Sequence, residues 1–279
     1  MKIGNYRIEV VSDAEFYLDG GAMFGVVPRI LWQREIEPDS KNRIRMATNC
    51  LFIETPDERI LIETGLGEKW TEKQTEIYGI KRNSTFADRL FEATGCKTED
   101  ITIVINTHLH FDHAGGNTIN IEGRLQPQFP NAKYLVSASE LQHAENPSER
   151  DRASYLAENW RPLLANQQLV EIPDVFEAVP GLKLNLTRGH SETMQTWSLE
   201  LESRKFFGFA DLIPMRHHLR PAWIAAYDLF PLETLEFKKT VLPKAVEENW
   251  NCLFYHDPEV PLAQIASDGK NFTAKPLEH

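Results

Sequence analysis

The stretch INTHLHFDHAGG, residues 105–116, sets His108, His110, Asp112 and His113 within six positions of one another, directly after an apolar run, in a chain with only 9 histidines. His108 and His110 are two apart, so on an extended backbone their rings emerge on the same side. Asp112 and His113 follow, before Ala114-Gly115-Gly116, where glycine permits tight curvature. Imidazole and carboxylate together suit zinc, iron or manganese. The bland alternative is a surface loop that happens to be rich in histidine. Against it, four such groups in one short turn are costly to satisfy by hydrogen bonds to core atoms.

The elements around this cluster are legible from pattern. Two apolar runs, Cys50 to Ile53 and Ile60 to Ile62, flank ETPDER and predict a β-hairpin that leads into a glycine-rich loop at Gly65 and Gly67. STFADRLFEATG predicts a helix capped by Thr85 with Asp88, carrying Phe86, Leu90 and Phe91 on one apolar side and ending at Gly95. ITIVINT is a β-branched run read as a buried strand, and it delivers the histidines at its carboxyl end, where α/β folds place their sites. AKYLVS and SASELQHA repeat the strand and capped helix, with Ser137 and Glu140 as the box and His143 expected on the exposed side.

Residues 147–165 read as a helical or irregular excursion. Strand-like runs then follow at LVEIP, LKLNLT, TWSLELE and KFFGFA. A helical pattern over 234–248, bent or interrupted by Pro243, precedes a final strand in NCLFYH. Strand-rich halves, each ending in helices, predict two β-sheets packed face to face with helices outside. No linker is long or polar enough to divide the chain, so residues 1–276 are expected to form one domain. Leu277, Glu278 and His279 look like the remnant of an affinity tag.

Length and composition set limits. The chain has 279 residues, 42% of them hydrophobic, enough for a sizeable core. A formal net charge of -11 argues against general nucleic-acid affinity, and Lys81-Arg82 reads as solvated surface. The first residues lack an uninterrupted apolar segment and no 18-residue apolar run occurs, so a cytoplasmic location without a membrane span is expected. Cys50, Cys96 and Cys252 are widely spaced, fitting neither a disulfide framework nor a CxxC zinc site, and are expected to be buried thiols. Oligomeric state is not readable; a homodimer is open.

THLHFDHAGG resembles the HxHxDH motif of the metallo-β-lactamase superfamily, and its context agrees: ILIETGLG upstream, LTRGHS with His190, FFGFADLIP with Asp211, and FYHDP with His256. The resemblance spans roughly residues 45 to 260 and implies an α+β fold, the four-layer αββα sandwich. It also implies that His108, His110 and His190 bind one metal ion, that Asp112, His113 and His256 bind a second, and that Asp211 bridges them. Two divalent ions per chain follow, zinc first, with iron or manganese as alternatives. Where the family usually has Asp, this chain has Glu63. It either supports the metal ligands through a hydrogen bond or is simply a turn acid beside Thr64.

The implied reaction is hydrolysis by a metal-bridging hydroxide, with Asp112 both ligand and proton relay. HLHFDHAGG is most similar to the lactonase and organophosphate-hydrolase branch, so a small ester, lactone or phosphotriester is the expected substrate. A glyoxalase II-like thioester hydrolase is an alternative, without an evident basic cluster to support it. A metal-binding sandwich without catalysis is the other. The segment DLIPMRHHLRPAWIAAYDLFP offers His217, His218, Arg220, Trp223 and Tyr227 as candidate substrate contacts. Equally, Trp223 and Tyr227 are four apart and fit the buried stripe of a short helix, with the basic residues as its solvated edge. Phe24 and Trp32 either wall an apolar pocket or complete a core.

Overall fold

Leu51 faces Ile62 and Ile53 faces Ile60 across an antiparallel pair, so the hairpin expected from the two apolar runs forms between Arg43–Glu54 and Arg59–Ile62. The computed structural model describes residues 1–277, and the tag remnant therefore falls largely outside the described residues. Two compact units are present, one of Met1–Ala14 with Thr48–Phe176, the other of Glu15–Ala47 with the residues from Glu177 onward.

A seven-stranded sheet that lies mostly in the first unit is ordered Lys2–Ile3, Tyr6–Asp19, Arg43–Glu54, Arg59–Ile62, Ile103–Ile105, Lys133–Ser137, Leu169–Ile172. From Arg59–Ile62 onward its neighbours run parallel, with Ile62 opposite Ile105 and Ile105 opposite Leu135. Ile60 to Ile62 and Ile103 to Ile105 are buried throughout, as near-continuous apolar runs in a parallel sheet should be. The helix Phe86–Thr94 starts on a reciprocal Thr85–Asp88 capping box and ends at Gly95, whose φ is 74°. It buries Phe86, Leu90 and Thr94 and leaves Phe91 exposed, so the inward stripe follows the i, i+4, i+8 positions and not the adjacent aromatic. Ser137 caps Ala138–Glu145 as expected. The excursion after it is a series of short 3-10 turns and the helix Arg161–Ala165.

The second unit carries a seven-stranded sheet ordered Val175–Val179, Leu182–Leu186, Gln195–Leu201, Arg204–Gly208, Asn251–Leu253, Leu262–Ser267, Phe272–Pro276. Arg204–Gly208 and Asn251–Leu253 are parallel, and the helix Pro231–Glu247 connects them. That helix begins three residues earlier than the sequence pattern indicated, with Pro231 at a helix-start position, and it continues unbroken past Pro243. Pro243 removes one donor and would break a helix whose freed carbonyl was buried; here it lies on the exposed side, while Val241, Leu242 and Ala245 pack inward. Phe207, Phe209, Trp250 and Phe254 join them in the core, with Phe207 and Trp250 stacked at 4.8 Å. All three cysteines are buried, as expected.

Candidate metal centre

Parallel strands end on the same side, and in the first unit that edge gathers the motif. Ile62 and Ile105 are register partners, so the residues after each, Glu63 and Asn106-Thr107, become neighbours. Glu63 has a φ of 64° and is buried; its carboxylate accepts from the Thr107 amide at 3.1 Å, from the Thr107 hydroxyl, and from Asn106 Nδ2 at 3.4 Å. The same carboxylate lies 3.4 Å from His113 Nδ1. Of the two readings of Glu63, the turn acid alone does not describe this geometry, because the side chain turns inward onto the motif.

The three motif rings crowd together: His108 lies 4.5 Å from His110 and 4.0 Å from His113, centroid to centroid. His110 heads the short helix Phe111–Ala114, which places Asp112 in its first turn and His113 in its last. The backbone is held from outside as well. Glu140 accepts from the Leu109 amide at 2.7 Å, and the Thr64 amide donates to the His113 carbonyl at 2.8 Å. Tyr155 packs edge-on to His110 at 4.7 Å. His143, expected on the surface, is largely buried: its Nε2 meets Asp151 at 2.6 Å, because the excursion folds back onto the helix that carries it.

In the second unit the same physics applies to the parallel pair ending at Gly208 and Leu253, which are register partners. The chain beyond each supplies Asp211 and His256, and the turn after Leu182–Leu186 supplies His190. Asp211 divides its carboxylate between the two imidazoles, with Oδ2 3.4 Å from His190 Nε2 and Oδ1 3.2 Å from His256 Nε2. The other ring nitrogens are occupied. His256 Nδ1 donates to the Ala47 carbonyl at 2.9 Å, and His190 Nδ1 faces Asp228 Oδ1 at 3.1 Å. A carbonyl accepts only, so the His256 proton sits on Nδ1 and the lone pair that can face a metal ion is on Nε2. Asp228 is fixed in turn by the Thr234 hydroxyl at 2.7 Å.

By chemistry, the buried His108, His110, Asp112 and His113 of the first unit and the buried His190, Asp211 and His256 of the second are all donors of the kinds that metal ions take. The nitrogen and oxygen set fits zinc, iron or manganese without choosing among them.

The expected substrate contacts have varied surroundings. His218 is buried, stacked on Phe24 at 4.9 Å, and its Nε2 meets the Met23 carbonyl at 2.8 Å. Burial, reinforced by the Lys238 charge, pushes its pKa down to about 3. Trp223 is buried edge-on to Phe24 at 5.5 Å, and Arg220 lies over the Trp223 ring at 4.5 Å while pairing with Glu35 at 2.8 Å. His217 is half-buried, and burial followed by the Arg216 charge lowers its pKa. Tyr227 is 42% exposed. No helix joins Trp223 to Tyr227. Phe24 and Trp32 stack at 5.3 Å and complete a core.

Asp228 and Glu140 hold the motif residues in place yet carry no sequence signal, since nothing in their spacing relates them to the histidines they serve. Arg82, read as solvated surface, is 17% exposed and grips a buried carboxylate, Asp13.

The model of the metallo-β-lactamase superfamily matches residues 43–242. The N-acyl homoserine lactonase of Bacillus cereus is 32% identical over 170 residues, covering 58% of this chain and 61% of the lactonase, so this chain spans about three-fifths of that relative's length. A probable metal-dependent hydrolase from Staphylococcus aureus superposes with a TM-score of 0.91 at 30% identity, over 100% of this chain and 99% of that one. AidC, a dizinc quorum-quenching lactonase solved with a product, gives a TM-score of 0.82 at 20% identity, over 100% and 97% of the two chains, a likeness of fold. Among the described residues, no helix is long and apolar enough to cross a membrane.

Proposed function

The chain belongs to the metallo-β-lactamase superfamily and has its αββα fold, and we propose that it is a dinuclear metal-dependent hydrolase of a small ester, lactone or phosphotriester. In this reading His108, His110 and His190 hold one ion, Asp112, His113 and His256 hold the other, and Asp211 serves both. The observation that carries it is the divided Asp211 carboxylate, which presents one oxygen to His190 and one to His256, an imidazole assigned to each ion. Zinc is the first choice of metal, with iron and manganese suited to the same donors.

When bound, the two ions supply a polarising charge for the attacked oxygen and a lowered pKa for water. The protein's part is orientation and proton handling. Asp228 and the Ala47 carbonyl fix which nitrogen of His190 and His256 faces the ions, and Glu63 does the same for His113. Asp112 receives the proton released on attack through its second oxygen. No protein nucleophile is required, which accords with three buried cysteines. Beside Asp112, Trp70, Tyr78 and Phe111 pack ring against ring at 5.3 to 5.5 Å. That surface suits an apolar arm on the substrate, and with the lactonase relatives it favours a lactone among the three classes.

Metal analysis combined with anomalous scattering across the zinc edge should find about two zinc ions per chain. A panel of N-acyl homoserine lactones, aryl esters, aryl phosphotriesters, S-lactoylglutathione and a β-lactam should then show selective lactone turnover. Full metal occupancy without turnover of any member would overturn the hydrolase reading.

A further inference from the structure

Behind the motif lies a buried ion pair that the proposed chemistry does not use. Asp13 is fully buried, and Arg82 Nη2 reaches both of its carboxylate oxygens at 2.7 Å. The pair encloses one residue, Gly67: its amide donates to Asp13 Oδ2 at 3.2 Å, and its carbonyl accepts from Arg82 Nη1 at 2.9 Å. Gly67 has a φ of 65°, and a Cβ there would stand 2.1 Å from the Gly115 carbonyl oxygen. The turn so gripped is therefore pressed directly against the backbone that follows the metal motif. Further contacts tie the two segments. Thr64 donates to the His113 carbonyl from its amide at 2.8 Å and from its hydroxyl at 3.1 Å, and Lys69 donates to the carbonyls of Gly115 and Thr118.

We infer that Asp13 and Arg82 are positioning residues: by clamping Gly67 they hold residues 64–69 against residues 113–118, and so set where His113 and Asp112 present their metal-binding atoms. The alternative role, plain stabilisation, is a poor explanation of such a pair. A buried ion pair returns little net stability once desolvation is counted, and burial raises the Asp13 pKa even with Arg82 drawing it down. What the pair does supply is a fixed direction, since the planar guanidinium holds the Asp13 carboxylate through Nη2 and the Gly67 carbonyl through Nη1 at the same time. The inference rests on the ligand assignment proposed above.

The test uses the full chain loaded with Co(II), whose visible absorption reports the ligand field, with affinity measured by competition against a chelator. Arg82→Ala should bind cobalt about 10- to 100-fold more weakly, the scale for residues that support metal ligands, with a shifted absorption that added guanidinium ion partly restores. Arg82→Lys keeps the charge without the rigid pair of nitrogens that reach Asp13 and Gly67 together, and should fall between. Arg45→Gln, which breaks exposed pairs to Glu15 and Glu259, should match the wild type. Wild-type cobalt affinity and spectrum in a folded Arg82→Ala overturn the inference, even with a lowered melting temperature. If that variant does not fold, Arg82→Lys decides by the same criterion. A wild-type protein that takes up no cobalt overturns the ligand assignment itself, and that failure is seen before any variant is compared.

Discussion

Asp211 has the most demanding position of any side chain in the candidate centre, because both of its oxygens are committed to imidazoles and it retains only 9% of its exposure. Replacing it with Ala removes one anionic group facing both proposed ions, and metal content should fall. Asp211→Asn keeps the shape and loses the charge; hydrolysis should slow at least about 10-fold even at saturating metal. Steady-state rates with a structure of the Asn variant test this, and near-wild-type turnover with both ions in place would make Asp211 an ordinary strand-end acid. His218 shows the opposite case, a histidine whose burial has an energetic and not a chemical consequence. Its folded pKa, about 3, lies below the ordinary value of 6.5. As pH falls below 6.5 the unfolded chain takes up a proton that the folded chain refuses, so stability is lost between pH 6.5 and about 3. In His218→Phe the urea-unfolding free energy should therefore decline less steeply over that window. Equal slopes in variant and wild type would count against it. The motif histidines were legible because they are contiguous. The interior place of His218 was not, because it depends on Phe24 and Met23, nearly two hundred residues away.

Elements were readable where their signals are local. The helix caps and the hairpin turn are written in four to six consecutive residues: the Thr85–Asp88 box and the hairpin formed as the pattern indicated, while Ser137 caps its helix without the reciprocal bond, because Glu140 turns to the Leu109 amide instead. Thr85→Ala removes one side of the Thr85–Asp88 box and should cost about 1 kcal/mol, measured by urea unfolding, while leaving turnover unchanged because the helix does not supply a proposed ligand. No measurable loss would mean that the helix end is held by packing alone. What the sequence could not show was pairing across distance. That Ile62 stands opposite Ile105, and Gly208 opposite Leu253, follows from parallel register over long crossovers. Without that register, Glu63 had two open readings and Asp228 had none. That Pro243 does not interrupt its helix was hidden for a related reason, since its cost depends on which face of the helix it occupies, and that is set by the core.

At the scale of the whole molecule, the proposed ligands are buried polar groups, unlike the apolar side chains that fill most of the interior. His108, His113 and His256 retain at most 1% of their exposure, and Asp112 6%. Buried carboxylates left without a cation are unfavourable, whereas a cation that binds the folded chain and not the unfolded one adds stability by mass action. Metal removal should therefore lower the melting temperature, and zinc should restore it in a concentration-dependent manner. The gain should be about 2.7 kcal/mol when free metal reaches 100 times its dissociation constant, which for a chain of this size is several degrees. Asp211→Asn should give a smaller rise at the same zinc concentration, since the charge that offsets the proposed ions is reduced. Thermal unfolding of chelated protein across a zinc titration makes the test. A melting temperature that does not respond to chelation or to zinc would mean that the buried histidines and carboxylates satisfy one another, and that the metal centre contributes nothing to the folded state.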